Sequence, residues 1–176
     1  MPSPNRTTND EVVAAAREVL ESAGPAGLTM QAVAARVGVR APSLYKRFAD
    51  RDALLTAVVA ATVEDLGRRL DAAEDLTALA AVYRAFAHER PEAFRLVFTP
   101  YAEQEALQRS AEPVLRAARD LVGEEDALEA ARLFTAWATG FLHMELAGAF
   151  RLGGDVDEAF TYGLDRLRAG LLAGRS

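Results

Sequence analysis

Apolar residues recur at three- and four-residue spacing through almost the whole chain, and β-branched runs are short. That pattern predicts helix nearly everywhere. The first helix is expected to follow Thr8 or Asn9, where Thr8 and Glu11 have the spacing of a capping box. Its apolar stripe is Val12, Ala16, Val19, Leu20 and Ala23, and Gly24, Pro25 and Gly27 break it. Thr29 is placed to cap a second helix with Met30, Val33, Ala34 and Val37 facing inward. Gly38 offers the left-handed conformation that stops a helix. A short third helix begins near Ala41, with Pro42 in its first turn and Leu44 and Phe48 as buried anchors.

Asp50 is expected to cap a long helix from about Arg51 to Ala73, with Leu55, Val58, Val59, Thr62, Leu66 and Leu70 along one side. Asp75 caps the next, to about Glu89, and Pro91 opens a short one that ends near Phe98, before Thr99-Pro100. Residues 102–122 are helical, but Pro113 lacks an N–H and predicts a break or kink around Ser110–Glu112. Helices at about 126–148 and 155–173 close the chain, the second opening on Asp155–Glu158, again spaced like a capping box. No internal repeat or low-complexity linker is visible. The expected fold is all-α, about nine helices, with a three-helix head at 1–52 and a larger bundle at 53–176 sharing the long fourth helix.

Composition narrows the classes. At 176 residues with 51% hydrophobic and 26% charged, the chain can bury a real core and is globular in composition. It has no cysteine, hence no disulfide framework or thiolate metal site. The segment MPSPNRTTND has no apolar h-region and no run approaches 18 apolar residues, so neither a signal peptide nor a membrane span is expected and a cytoplasmic location is the default. The formal charge of −6 is uneven: residues 1–51 carry seven Arg/Lys against five Asp/Glu, and the remainder thirteen against twenty-one. An acidic body repels phosphate and restricts nucleic-acid contact to the basic end.

Leu28–Phe48 has the pattern of a helix-turn-helix, a unit whose second helix can lie in a DNA major groove. On the third helix, Pro42, Ser43 and Lys46 fall opposite Leu44 and Phe48, with Tyr45 and Arg47 on the flanks. Hydroxyls and cations in that arrangement suit phosphate and base-edge contacts. Spacing alone leaves open an ordinary amphipathic helix whose polar face meets water.

The run from Leu28 to Leu55, LT-x4-AARVGV-x-APSLYKRF-x-D-R-D-ALL, resembles the N-terminal domain of TetR-type transcriptional regulators, over the first ~55 residues as a block. The resemblance implies a DNA-binding head in which Thr29 and Tyr45 contact phosphates and Gln31 reaches the backbone or a base edge. It places Ala41, Pro42, Ser43 and Lys46 near bases, and Arg51 where many members have a phosphate-binding Lys. Arg40 at the turn and Arg6 on the arm are further backbone contacts in this reading. Farther on, Trp137-Ala-Thr-Gly140 within the stretch to Gly148 is similar to the C-terminal domain named for its Trp-His-Gly (WHG) motif, with Thr139 in place of the His. As in that subgroup, Gly140 would fit a close helix approach.

The resemblance also implies a ligand pocket in the body, to which aromatic and polar residues there are candidate contributors: Phe86, Phe94, Phe98, Tyr101, Phe134, Trp137, Phe141 and His143. The same residues could equally be plain helical core. The last helix has an apolar stripe including Phe160, Leu164, Leu167 and Leu171 that would meet a second copy in the family's dimer arrangement, or pack within its own chain. His143 and Glu145 are two apart, about 200° on a helix, and cannot converge on one ion. No metal site, cofactor or enzymatic activity is expected, since neither a nucleophile–base arrangement nor a phosphate-cradling glycine loop is visible. The function implied is a homodimeric, ligand-responsive repressor, binding a double-stranded DNA operator and a small apolar or amphipathic effector, with no membrane partner. The alternative is a DNA-binding regulator controlled by a partner protein without a small ligand.

Overall fold

The computed structural model describes residues 7–174, and among them every regular element is α-helical. The helices are α1 (Asn9–Gly27), α2 (Met30–Arg36), α3 (Ala41–Tyr45), α4 (Arg51–Asp71), α5 (Leu76–Glu89), α6 (Pro91–Leu96), α7 (Gln104–Val122), α8 (Ala127–Leu146) and α9 (Val156–Ala173). The chain divides into two compact units, 1–64 with 90–106, and 65–89 with 107–176. The expected boundary at 52/53 lies inside the first of these. The early turns of α4 and all of α6 belong with the helix-turn-helix, and the division falls within the unbroken α4.

Local chemistry fixes the ends of the helices. Thr8 Oγ1 accepts from the Glu11 N–H at 3.1 Å while Glu11 Oε2 accepts from the Thr8 N–H at 2.7 Å, a complete capping box for α1. Thr29 accepts from the N–H of Ala32, Asp50 from Ala53, Asp75 from Ala78, and Asp155 from Asp157 and Glu158. Each satisfies N–H groups that have no partner inside their own helix. At the end of α2, Gly38 has φ +71°, with the N–H of Val39 donating to Ala34 O at 2.9 Å and that of Gly38 to Ala35 O at 3.3 Å. This is the Schellman geometry, and it turns the chain sharply into α3.

Three expectations are corrected. In α1, Val12, Ala16, Val19 and Leu20 are buried but Ala23 is exposed. The helix breaks at Gly24 (φ +67°), and a Cβ on Gly27 would lie 2.4 Å from that of Ala23, so this last turn packs on itself rather than on the core. Val37 is only half-buried, because it is already the cap of α2. Of the break or kink expected around Ser110–Glu112, the break is absent: α7 runs through Pro113, whose ring is buried beside Val114, Ala117 and Ala118. Apolar burial of the ring and its neighbours offsets the single N–H that proline removes.

Within the first unit α1 packs on α2 and α6, and α2 on α3, around Leu20, Leu28, Val33 and Leu44. The short α6 has no cap of its own from Arg90; Glu21 of α1 accepts instead from the N–H groups of Glu92 (3.1 Å) and Ala93 (2.9 Å). Arg90 in turn donates to Glu18, and that hydrogen bond and charge hold the Glu18 carboxyl below its usual range. In the second unit α8 packs on α5 and α9. Glycine is needed at Gly163, where a Cβ would stand 2.8 Å from Trp137 Cζ2 on a rigid ring. At Gly140, where sequence reasoning placed the close approach, a Cβ would meet nothing within 4 Å.

Candidate functional site

The helix-turn-helix presents one polar surface. Leu44 and Phe48 are buried, which aims the rest of α3 outward: Pro42, Ser43, Tyr45 and Lys46 are exposed and Ala41 is half-buried. Thr29 and Gln31, at the start of α2, and Arg40, at the turn, are exposed as well. The Thr29 hydroxyl spends its acceptor on the α2 cap and keeps its O–H to donate. α3 itself ends at Tyr45, so Lys46 sits at its C-cap rather than on its middle. Arg6 lies outside the described residues.

Arg51, which the resemblance places at a phosphate-binding position, makes bonds within its own chain. Its Nε donates to Leu28 O at 2.8 Å, its Nη2 to Pro25 O, and its Nη1 pairs with Asp52 at 3.4 Å. The guanidinium ties the α1–α2 connection to the start of α4. These bonds use three of the five guanidinium N–H groups and leave two that a phosphate could accept from. Arg47, by contrast, donates from Nη1 to Asn9 Oδ1 at 3.1 Å, linking the end of the reading helix to the first turn of α1. Between them runs a groove of about 540 Å³, lined by Thr7, Thr8, Asn9, Ser43, Lys46 and Arg47. The Asn9–Arg47 contact spans 38 residues of sequence, and helical periodicity carries no signal for it.

The body candidates divide between the two units. Phe94, Phe98 and Tyr101 belong to the first unit and the other five to the second. Phe86, Phe94 and Phe134 are core, Phe98 and His143 are exposed, and Tyr101 is half-buried with its hydroxyl donating to Asp52 Oδ1 at 3.4 Å. Trp137 and Phe141 pack with Phe160 in an aromatic cluster, both at 5.1 Å between ring centroids. Thr139 shares a hydrogen bond of 3.0 Å with the Tyr83 hydroxyl. Burial pushes the Tyr83 phenol up to about 12, against a smaller opposing pull from Thr139.

On the other side of that cluster, a cleft of about 570 Å³ lies among α5, α8 and α9. Its apolar floor includes Ala81, Ala85, Phe160 and Leu164. Its rim holds Arg84, whose Nε donates to Glu145 Oε2 at 3.1 Å and whose Nη2 reaches Asp157 at 2.5 Å, with the guanidinium 4.8 Å from the Phe160 ring centroid. His88 Nε2 lies 3.2 Å from the same Glu145 carboxylate. These bonds hold the Arg84 guanidinium firmly in its charged form.

Of the stripe expected to meet a second copy or pack within its own chain, the first two residues are covered by their own chain. Phe160 and Leu164 are buried and Leu167 and Leu171 half-buried, because α9 lays that side against α8 and the cleft. A different apolar face is exposed. On α8, Leu133, Ala136, Gly140 and Met144 recur at three- and four-residue spacing opposite the buried Phe134, Ala138 and Leu142. On α9, Ala159, Tyr162, Ala169 and Ala173 are exposed, with Arg166 over the Tyr162 ring at 5.3 Å. No helix among the described residues is long and apolar enough to cross a membrane, and no three His, Cys, Asp or Glu side chains there could hold a metal ion.

Residues 12–58 match the family described as bacterial regulatory proteins, tetR family, and residues 76–167 match the tetracyclin repressor-like C-terminal domain. An uncharacterized HTH-type transcriptional regulator of Mycobacterium tuberculosis is 29% identical over 96% of this chain and 83% of its own. Among solved structures, a protein of unknown function from Rhodococcus sp. RHA1 is 27% identical with a TM-score of 0.82, covering 98% of this chain and 99% of that one. A TetR variant from Acinetobacter baumannii in complex with minocycline is 27% identical with a TM-score of 0.73, covering 97% and 99%. BioQ of Mycobacterium smegmatis is 28% identical with a TM-score of 0.72, covering 96% and 99%.

Proposed function

Because the chain belongs to the tetR family of bacterial regulatory proteins, transcriptional regulators that bind DNA operators as dimers, we propose that it is a homodimeric repressor released from its operator by a small molecule. The observation that carries the DNA-binding part is the exposed set Thr29, Gln31, Arg40, Pro42, Ser43, Tyr45 and Lys46 on a helix-turn-helix whose apolar anchors are all turned inward. Residues 1–52 serve as the DNA-binding domain and 53–176 as the regulatory and dimerisation domain. Ser43 and Lys46 read base edges, while Thr29, Arg40 and Tyr45 hold phosphates. Ala41 contributes only a methyl, so direct readout rests on few side chains.

The second copy packs on the exposed face of α8 and α9 rather than on the Phe160–Leu171 stripe. Leu133, Gly140 and Met144 lie at its centre, and the open space around Gly140 lets a partner helix approach closely. The effector is apolar or amphipathic and held by the body. The cleft under Arg84 and His88, with its apolar floor and charged rim, has the size and lining such a molecule needs. The minocycline complex of the Acinetobacter TetR variant supports the reading, as a protein of this fold with a small molecule bound. Operator and effector then compete by linkage: a hundredfold change in operator affinity needs about 2.7 kcal/mol of coupling.

The reading surface is tested by Lys46→Ala and Tyr45→Ala in a gel-shift series over salt concentration, on operator DNA selected with the wild-type protein. Each variant should bind roughly tenfold or more weakly, and Tyr45→Ala, as a phosphate contact, should weaken binding alike across sequences. Both should keep the wild-type melting temperature, because neither side chain is in the core. Wild-type affinity and salt slope in both variants would show this surface to be the wrong one.

A further inference from the structure

The groove beside the reading helix is lined by cationic and short polar side chains. Two of its lining residues, Lys46 and Arg47, are cationic, and among the described residues no carboxylate lines it, in a protein whose formal charge is −6. The remaining lining residues, Thr7, Thr8, Asn9 and Ser43, are short and polar. The two acidic residues of the first turn of α1, Asp10 and Glu11, are absent from its walls, and the Glu11 carboxylate is engaged by the Thr8 N–H. At the start of α1 the capping box engages the N–H groups of Thr8 and Glu11. What remains is a slot of side-chain donors and positive charge, open to solvent and adjoining Ser43 and Lys46 on the surface that faces DNA.

We propose that this groove seats one phosphodiester of the operator backbone, with Arg47 supplying charge, Lys46 leading from its rim to the base edges, and Thr7 and Asn9 forming the opposite wall. The inference rests on the DNA-binding role proposed above and adds α1 to the contact surface. Asn9 has two parts in it. Its Oδ1 accepts from Arg47 and so holds that guanidinium at the groove, and its amide N–H₂ is left to donate to a phosphate oxygen. Arg47, half-buried at the end of the reading helix, is thereby held for a backbone contact, whereas Arg51 is committed to carbonyl groups of its own chain. Contacts of this kind fix the register of the reading helix without themselves carrying sequence information.

The experiment uses the full chain and operator duplexes in which single phosphates are replaced, one at a time, by neutral methylphosphonates. For the wild type, one position per half-site should cost roughly five- to tenfold in affinity, and Asn9→Asp should cost about as much on the unmodified duplex. Asn9→Asp keeps an acceptor for Arg47 but puts a carboxylate against the phosphate, so a purely structural role for Asn9 would leave affinity intact. In Asn9→Asp and Arg47→Ala, the methylphosphonate at that same position should cost little more, the non-additivity expected of groups that share one contact. If both variants retain wild-type affinity, or if no methylphosphonate effect is masked by either, the seat is refuted. A thermal shift produced by inorganic phosphate, in a protein whose operator affinity ignores every methylphosphonate, would overturn it in favour of a small phosphorylated ligand. Failure of the wild type to bind any selected DNA refutes instead the function proposed above.

Discussion

Gly140→Arg is expected to give a folded monomer that has lost operator affinity by a factor on the order of a hundred to ten thousand. The site tolerates the side chain within one chain, since even a Cβ there meets nothing within 4 Å. In the dimer it would drive a charge into the centre of a face made by Leu133, Ala136 and Met144. A monomer engages one half-site instead of two, and the avidity lost lies in that range. Leu164→Asp, which the sequence stripe alone marks as a dimer-breaking change, should act differently. Leu164 is buried in its own chain, so the substitution strips apolar contacts and buries an unpaired carboxylate, costing at least about 3–5 kcal/mol. That is a large share of a domain's stability, and the protein should unfold or aggregate. Sedimentation with circular dichroism separates the two outcomes. A dimeric Gly140→Arg protein, or a well-folded monomeric Leu164→Asp protein, would place the interface on the other side of α9.

The second large effect is at Arg51. Arg51→Ala removes the donors from the carbonyl groups of Leu28 and Pro25, both partly buried, and frees the α1–α2 connection from the start of α4. Loss of charge-assisted bonds of this type should lower the stability of the reading head by about 2–3 kcal/mol. Hydrogen exchange at residues 25–33 should accelerate accordingly, while the salt slope of operator binding by the folded fraction stays at the wild-type value. A salt slope reduced by about one, with stability unchanged, would contradict this and support the phosphate-contact role that the sequence resemblance assigns to this position.

These two residues mark where sequence reading stops. The caps at Thr8, Thr29, Asp50, Asp75 and Asp155 and the stop at Gly38 are legible because their partners lie within two to five residues along the chain. The inward anchors Leu44 and Phe48 follow from helical periodicity in the same way. Arg51 bonds to residues 23 and 26 positions away, Glu21 caps a helix 71 positions on, and Thr139 pairs with Tyr83 across 56. Such contacts depend on how helices pack, and no local spacing encodes them. The glycines make the same point: Gly140 and Gly163 are equally plain in the sequence, and only the placement of Trp137 beside α9 decides which one a side chain would obstruct. Periodicity also found the α9 stripe, yet a stripe shows that a face is covered and not by what. At Pro113 the local rule was overridden, because burying the ring on the core face kept α7 intact.

The central claim, a two-fold symmetric protein that reads DNA through one surface, is tested most directly by selecting genomic DNA fragments with the purified wild-type protein and measuring binding to the enriched sequence. The account predicts a short motif with two-fold symmetry, bound by the dimer with a Kd of roughly 10⁻⁸ to 10⁻¹¹ M at physiological salt, and an affinity that falls steeply as salt rises. Absence of any enriched motif, with all fragments bound equally at about 10⁻⁴ to 10⁻⁶ M, would contradict it.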